Sequence, residues 1–544
     1  MDYGKRYDTL NEDQKDTFHR LVKGENLFIT GNAGTGKSYL VRAYDEYCAL
    51  HHIQLVKVAP TGVSAMEIGG ATLHKQFNLA IGLDFEAITE ESFVKNKKLQ
   101  FMKRTDVILI DEISMVRIDI FDRLMQLLYF ANQSRKQKRR KPIQLIFVGD
   151  FFQLAPVISK DEKTHLNEYY RKDIQDGYCF QSRYWRENHI HLCNLTKVIR
   201  QSDIDFCTAL DECKEGDVNC LKFLKTHSSK EENEDAIWLC GKNATADQKN
   251  REGLAKIDGK LYCFQATYSG DVTQKDRLCD DEFQCKIGAR VVMLANGIDY
   301  QNGSMGEIVR IDENDENIVI LVKIQKTGKI VEVKKTTFPK YHYESKTIET
   351  PVLDEAGNPV LLKSGKPKVK KSYELVRMET GYAEQFPMRI GYAVTIHKSQ
   401  GQTYDAINLM PEIFANGQLY VALSRCKSVE GIYIAGFLSQ RMVMCSEEVL
   451  KFYNHPEEYE FFGTGSSLKA MMIPEKYISA VEAFVKKLEA GEYPELIEEL
   501  CDTPEEPQSK SKPTLISSGT TAKKSTSSNF WKTFRKRTDK ELNL

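Results

Sequence analysis

The sequence predicts an α/β protein built from two parallel-sheet lobes, and three observations carry that expectation. Short apolar runs closed by Gly, Asp or a turn recur at Leu27 to Thr30, Leu55 to Ala59, Val107 to Ile110 and Leu145 to Val148, separated by helix-like or polar stretches. Runs of this length without polar alternation are characteristic of strands covered on both faces. A second set at Ala236 to Cys240, Ala406 to Leu409 and Gly431 to Ala435 predicts a second lobe. The first run leads straight into Gly31-Asn32-Ala33-Gly34-Thr35-Gly36-Lys37-Ser38, a phosphate-binding loop in its required strand–loop–helix setting.

Composition sets the outer limits. A chain of 544 residues, 41% hydrophobic and 28% charged, can bury several cores and predicts three to four domains. The formal charge of −1 leaves any nucleic-acid binding to local arrangements of Lys and Arg. Thirteen cysteines are scattered without C-x₂-C pairs or Cys/His clusters, so they read as reduced thiols and not as zinc ligands. Met1 to Asp13 is charged and carries no apolar leader, and no run approaches the roughly 18 apolar residues of a membrane span. The expectation is a soluble protein with no membrane partner, cytoplasmic, or nuclear in a eukaryote.

In chain order, the first lobe is expected over 1–195, with an insertion near 77–105 whose apolar positions show no period. The second lobe is expected over 196–305 and 383–445. Between them, Glu307 to Ile311, Ile318 to Val322 and Ile330 to Val333 alternate and are punctuated by turns, predicting a β insertion over 306–382. Ile478, Val481, Phe484, Val485 and Leu488 fall at helical spacing between Pro474 and Gly491, within a helical extension over 446–503. From 504 to 544 the chain is poor in apolar residues and predicts a disordered tail. Near its end Phe530, Trp531 and Phe534 interleave with Lys532, Arg535, Lys536 and Arg537, a pattern suited to folding as a short helix on a protein partner or on DNA.

The chemistry begins at the loop. Its glycines let backbone N–H groups converge on phosphate oxygens, and the helix that follows adds its positive end. Lys37 is placed to reach the β- and γ-phosphates of ATP, and Ser38 to ligate Mg²⁺. Asp111-Glu112 closes the strand Val107 to Ile110. Asp111 would hold Mg²⁺, directly or through water, and Glu112 would orient and deprotonate the attacking water. An Asp-Glu pair alone is usually solvated surface; at the end of a buried strand behind a phosphate loop it points to hydrolysis. Gln153, in Gly149-Asp150-Phe151-Phe152-Gln153-Leu154 after the run Leu145 to Val148, offers an uncharged amide that can read the γ-phosphate; the plain alternative is a polar loop residue.

Taken in order, these motifs resemble the Pif-like DNA helicases of superfamily 1B, relatives of RecD, over residues 8 to 440. Leu10-Asn11-Glu12-Asp13-Gln14 resembles the family's adenine-reading element, with Gln14 as reader. Pro60 to Ala65 and Gly70-Ala71-Thr72-Leu73-His74 resemble its first DNA-contacting motif. Asp111 to Met115 and Gly149 to Leu154 match the next two. Leu195 to Gln201 opens the second lobe, followed by Gln385-Phe386-Pro387, Ala393 to Thr403 and Leu419 to Arg425.

The resemblance implies two RecA-like lobes, with an SH3-like β insertion that helps cover the strand. It implies ATP and Mg²⁺ as cofactors, 5′-to-3′ translocation on single-stranded DNA, and unwinding of forked duplexes by a monomer. The implied setting is DNA replication, repair or recombination, telomere maintenance included. Carried over residue by residue, the ATP site holds Gln14, Gly31, Asn32, Ala33, Gly34, Thr35, Gly36, Lys37, Ser38, Gln153, Arg200, Gly401 and Arg425. Arg200 and Arg425 would stabilise charge on the transferring phosphoryl group, a role worth about 10³ to 10⁵ in rate in other NTPases; the alternative for each is a salt-bridge residue. Strand contacts fall on Thr61, Gly62, His74, Thr395, His397 and Lys398, against the plainer reading of capping threonines and core histidines.

One departure stands out. Before Ile143 the family usually carries a Phe-Gly-Gly element, whereas this chain carries Arg135-Lys136-Gln137-Lys138-Arg139-Arg140-Lys141-Pro142. Such a run is more often a solvated loop than a binding site, and here it is also a candidate contact for duplex or tail. Two other functions fit parts of the sequence: a RecD-like subunit working inside a larger complex, and an NTP-driven switch without translocation. The Thr395 to Thr403 motif with Arg425 argues against the switch, which needs neither.

Overall fold

The computed structural model describes residues 2–459 apart from 81, 87, 198–202, 230, 271, 273–279, 296, 301, 315–316 and 353–366. The chain divides into units Met1–Lys476 and Tyr477–Leu544, and everything described lies in the first. The expected helix near 478–488, the tail over 504–544 and its aromatic–basic end lie outside the described residues, as does Arg200.

The first lobe is a six-stranded, all-parallel sheet. Its strands are β1 (Leu27–Gly31), β2 (Leu55–Ala59), β3 (Ala71–Thr72), β4 (Val107–Ile110), β5 (Gln144–Val148) and β6 (His191–Leu195), in the order β3-β2-β4-β5-β1-β6. β1, β4 and β5 are buried at every position, which explains their unbroken apolar runs. One face is covered by Leu21, Leu40, Val41 and Tyr44, the other by Leu73, Phe77, Phe121, Leu124 and Trp185. Because β5 lies between β1 and β4, the loop after β5 emerges between the phosphate loop and Asp111.

The chain then builds β7 (Ile237–Cys240), β8 (Tyr262–Gln265), β9 (Thr267–Gly270), β10 (Glu282–Cys285), β11 (Arg290–Met293), β12 (Met305–Asn314), β13 (Asn317–Ile324), β14 (Ile330–Val333), β15 (Thr336–Pro351), β16 (Val369–Gln385), β17 (Met388–Ile390), β18 (Ala393–Thr395), β19 (Ile407–Leu409) and β20 (Ile432–Ile434). The second lobe is the parallel sheet β18-β7-β19-β20. The β-rich part is antiparallel: a five-stranded sheet β14-β13-β12-β11-β17, a three-stranded sheet β15-β16-β9, and the pair β10-β8. It is wider than the expected 306–382, since strands already form at Tyr262 and continue to Ile390. Alternation identified β12, β13 and β14 but neither the long β15–β16 hairpin nor the short strands β8 to β11.

Two connections tie the lobes. The β15–β16 hairpin returns to the first lobe, where Tyr343 is buried against its core. There the Tyr343 amide donates to Gln76 Oε1 (2.7 Å) while Gln76 Nε2 donates to the Tyr343 carbonyl (3.0 Å). Arg377 donates to the Gly69 carbonyl at 2.6 Å, and Lys75 reaches the Thr380 hydroxyl. The second connection is the helix Glu447–Asn454, whose Phe452 packs against Phe28, Phe151, Phe180 and Trp185 of the first lobe.

Candidate functional site

The phosphate loop runs from the end of β1 to the helix Lys37–Leu50, through left-handed Gly34 and Gly36, both at φ +86°. Gly31 has no substitute here: a Cβ would sit 2.4 Å from the Leu195 carbonyl oxygen. Lys37 Nζ folds back onto its own loop, donating to the carbonyls of Gly31 (2.6 Å) and Asn32 (3.2 Å), and Thr35 Oγ1 donates to Asn32 at 3.0 Å. Gln14 forms a capping box with Asn11 and donates to the Thr35 and Gly36 carbonyls at 3.3 and 3.4 Å. It therefore braces the loop from behind.

Asp111 and Glu112 follow β4. The Asp111 amide donates to the Val58 carbonyl at 2.9 Å, and Asp111 Oδ1 accepts from the Glu112 amide at 2.9 Å. Glu112 is left-handed at φ +50°, a conformation costing a non-glycine residue about 1–3 kcal/mol and found where surrounding structure fixes a functional side chain. Burial pushes both carboxyls up; Glu67 adds to this at Asp111, and Asp111 at Glu112. Surrounding protein and the Glu112 charge push Glu67 up as well, although its side chain opens to the cleft.

The second lobe reaches these groups directly. Gln400 Nε2 donates to Glu112 Oε2 at 2.9 Å and to Gln153 Oε1 at 3.2 Å. Gln153 Nε2 in turn donates to Asp150 Oδ2 at 3.3 Å. The Tyr420 hydroxyl accepts from the Ala33 amide of the phosphate loop (3.2 Å) and donates to Asp150 Oδ2 (3.4 Å). At the loop's apex, Asn32 donates to Asp211 Oδ1 at 2.8 Å, and Lys214 donates to Asn32 Oδ1 at 2.8 Å. None of Gln400, Tyr420, Asp150, Asp211 and Lys214 was singled out from sequence. Gln400, Asp150 and Tyr420 had a signal, lying inside the motifs Thr395 to Thr403, Gly149 to Leu154 and Leu419 to Arg425; Asp211 and Lys214 carry none, because only folding brings them to the loop.

Between the lobes lies a cleft of about 1220 Å³, lined by Ser38, Arg42, Glu67, Asp111 and Glu112 on one side and by Asn302, Gly401, Gln402 and Thr403 on the other. Ser38, Asp111, Glu112 and Gly401 are thus brought together. Arg425 lies within reach of the Glu112 and Asp150 charges, with its hydrogen bonds inside the second lobe. Fully buried, its guanidinium donates to the carbonyls of Val421 (2.9 Å), Gln402 (3.3 Å) and Ser399 (3.5 Å) and to Ser424 Oγ (2.9 Å), all within the second lobe. Here it orders the backbone that carries Gln400 and Gly401.

The expected strand contacts lie on both lobes. Thr61 caps the helix Gly62–Glu67, its Oγ1 accepting from the Ser64 amide at 3.2 Å, and Gly62 is that helix's first residue. His74 lies half-buried on the helix Leu73–Gln76, under which the β15–β16 hairpin docks. Thr395 is buried at the end of β18, whereas Lys398 is exposed in the turn that follows. His397, in the same turn, is held by burial below the usual histidine range.

Fold and site together define a class: a phosphate-loop nucleoside triphosphatase whose Asp111–Glu112 pair is contacted by a second parallel-sheet lobe, the architecture of a motor ATPase. The PIF1-like helicase profile matches residues 9–222. The ATP-dependent DNA helicase Pif1 of Campylobacter jejuni is 30% identical over 473 residues, covering 80% of this chain and 96% of that protein. The human ATP-dependent DNA helicase PIF1 is 29% identical, covering 82% of this chain; this chain spans 63% of the human protein's length. The crystal structure of Bacteroides sp. Pif1 in complex with ADP-AlF4 aligns with a TM-score of 0.68 at 27% identity, over 82% of this chain and 97% of that one. Bacteroides Pif1 bound to single-stranded DNA aligns at 0.56 with 27% identity, over 84% and 99%. This chain belongs to the PIF1-like helicase family. Among the described residues no helix is long and apolar enough to cross a membrane.

Proposed function

We propose that this chain, an ATP-dependent DNA helicase, hydrolyses ATP in the cleft between its lobes and moves 5′ to 3′ on single-stranded DNA as a monomer, opening forked duplexes. The observation that carries this is Gln400: one amide of the second lobe holds both Glu112, the proposed general base, and Gln153, the proposed γ-phosphate reader. Any change in lobe separation alters that contact, so hydrolysis and lobe movement are linked through one residue.

Ser38 and Asp111 offer hard oxygen donors on one side of the cleft, which suits Mg²⁺. Among the described residues no group of three or more His, Cys, Asp and Glu forms a closed metal cage. None is needed for an ion that keeps several waters and takes its remaining ligands from substrate phosphates. When bound, Mg²⁺ would neutralise charge developing on the phosphates. Lys37 binds the same phosphates, Glu112 orients and deprotonates the water, and Gln153 senses the γ-phosphate. Arg200 and Arg425 are proposed as the second lobe's cations for that phosphate, which requires the Arg425 guanidinium to exchange backbone carbonyls for phosphate oxygens as the cleft closes. Thr61, Gly62, His74, Thr395, His397 and Lys398 are proposed to grip the strand, and Gln14 to read adenine.

Bacteroides Pif1 binds single-stranded DNA in a fold aligned with this one, and polarity rests on the family likeness. Strand displacement on 5′-tailed and 3′-tailed duplexes tests the reading: displacement is expected with the 5′ tail alone. A purified chain whose ATPase ignores single-stranded DNA would falsify it.

A further inference from the structure

The basic run that replaces the family's usual element does not lie at the ATP site. It sits at the other end of the first-lobe sheet, between the C-terminus of the helix Ile118–Gln137 and the start of β5. In a parallel sheet the phosphate loop and Asp111 leave the C-terminal strand ends, so this corner is on the opposite edge. A second basic segment meets it there: Lys103 and Arg104, which end the insertion and precede β4.

Arg135 joins the two segments. Only 2% exposed, it donates to the carbonyls of Thr105 (2.5 Å) and Lys103 (3.4 Å) on one side and of Lys141 (2.8 Å) on the other, and it pairs with Asp106 at 3.0 Å. Arg135 is therefore structural, and it fixes the base of a turn in which Arg139 is left-handed at φ +55°. Lys138, Arg139, Arg140 and Lys141 are exposed on that turn and form no ion pair among the described residues. Burial, and then the charges of Lys138 and Arg104, hold the Lys103 ammonium below its usual range, a sign that the two segments crowd like charges together.

We propose that this corner is a docking surface for the phosphate backbone of duplex DNA, separate from the strand path between the lobes. Lys138, Arg139, Arg140 and Lys141 place four exposed cations on one turn of a chain whose net charge is −1, a local charge that a polyanion neutralises, and duplex DNA presents about one negative charge per 1.7 Å of axis. The turn is already ordered by Arg135, so binding need not order it. A duplex fits better than a single strand because single-strand sites add aromatic rings for base stacking. Among the described residues the exposed large aromatics are Tyr39, Phe414 and Phe437, none of them in this corner. Identifying the polyanion as DNA rests on the helicase reading above; the electrostatics do not.

The test uses the full chain without nucleotide and a blunt duplex with no single-stranded tail, titrated by fluorescence anisotropy across a salt series. The variant is Lys138→Gln, Arg139→Gln, Arg140→Gln and Lys141→Gln together, leaving Arg135 intact. The expected result is roughly tenfold weaker duplex binding at low salt, with a salt slope shallower by about 0.9 for each phosphate that the variant no longer neutralises. ATPase stimulation by a short oligothymidine should stay within about twofold of the parent chain, which also shows that the variant folds. Unchanged duplex affinity and slope overturn the proposal, as does an equal weakening of oligothymidine binding. Binding of poly-glutamate by the parent chain at salt concentrations where the duplex does not bind also overturns it, in favour of an acidic protein partner. Failure of oligothymidine to stimulate the parent chain's ATPase overturns the helicase reading instead, and the duplex titration is read independently of that result.

Discussion

At the residue scale, the site divides into groups that bind, groups that react and groups that position. Lys37 is spent on two loop carbonyls in this structure and must exchange them for phosphate oxygens; Lys37→Ala should abolish ATP hydrolysis, measured as phosphate release. Glu112→Gln keeps the shape and the Gln400 contact but cannot accept a proton, so it should retain ATP binding and stop turnover. Normal turnover in that variant removes Glu112 as general base. Gln400 positions Glu112 across the lobes. Losing a hydrogen bond to a charged group costs about 1.5–3 kcal/mol, so Gln400→Ala should lower kcat by about 10- to 100-fold. Its KM for ATP should hardly change, and a matching rise in KM would mean that Gln400 serves binding.

At the element scale, the loop Gly149–Leu154 and the helix Glu447–Asn454 form the joint between lobes. Phe151 lies in the first-lobe core and Leu154 in the second-lobe core. Gly417 touches the backbone between them, where a Cβ would meet the Phe152 carbonyl oxygen at 2.2 Å. Tyr453 stacks on Phe152 at 4.6 Å, and its hydroxyl binds Thr30 Oγ1 (2.8 Å) and accepts from the Phe151 amide (3.2 Å). Phe452→Ala should cost about 3–5 kcal/mol through the cavity it opens, and Tyr453→Phe about 1–3 kcal/mol by leaving the Phe151 amide without its acceptor. Thermal unfolding followed by circular dichroism should rank them in that order. The helix Lys160–Tyr170 shows the opposite charge behaviour to the ATP site. The Ser159 amide and the Arg117 guanidinium hold Glu162 at about 2, down from 4.5. A depressed carboxyl stabilises the fold above its unfolded value and loses that contribution as pH falls from about 4.5 towards 2. Glu162→Gln should flatten the melting temperature across that window; an unchanged acid limb would contradict it.

At the scale of the whole molecule, the lobes already touch through polar contacts at the phosphate loop: Asn32 with Asp211 and Lys214, Ala33 with Tyr420. These contacts let a phosphate in the loop be felt in the second lobe, and the β15–β16 hairpin links that lobe to the helix following Gly70–Thr72. A ligand that binds only the folded protein stabilises it by about 2.7 kcal/mol at a hundred times its Kd. Magnesium with a non-hydrolysable ATP analogue should therefore raise the melting temperature of the parent chain and of Glu112→Gln, and leave Lys37→Ala unshifted. A shift in Lys37→Ala would mean that the nucleotide binds elsewhere.

By itself the sequence determined seven of the ten parallel strands (β3, β6 and β18 went unread), the phosphate loop, the Asp111–Glu112 pair and the family, because each is written in contiguous residues whose spacing is tied to local backbone geometry. Leu27 to Gly31 is readable as a strand because burial on both faces permits only apolar side chains, and Gly31 because no other residue fits beside Leu195. The tertiary structure alone decided that Gln400 contacts Glu112 across the lobes, that the Arg425 guanidinium is hydrogen-bonded within its own lobe, and that β strands extend from Tyr262 to Ile390. It also revealed Arg135, at the head of an apparently solvated basic run, as the buried tie beneath a charged corner. The reason is the same in each case. A hydrogen bond between residues hundreds of positions apart leaves no periodicity in either segment, and a charged side chain looks the same in sequence whether water or a carbonyl receives it.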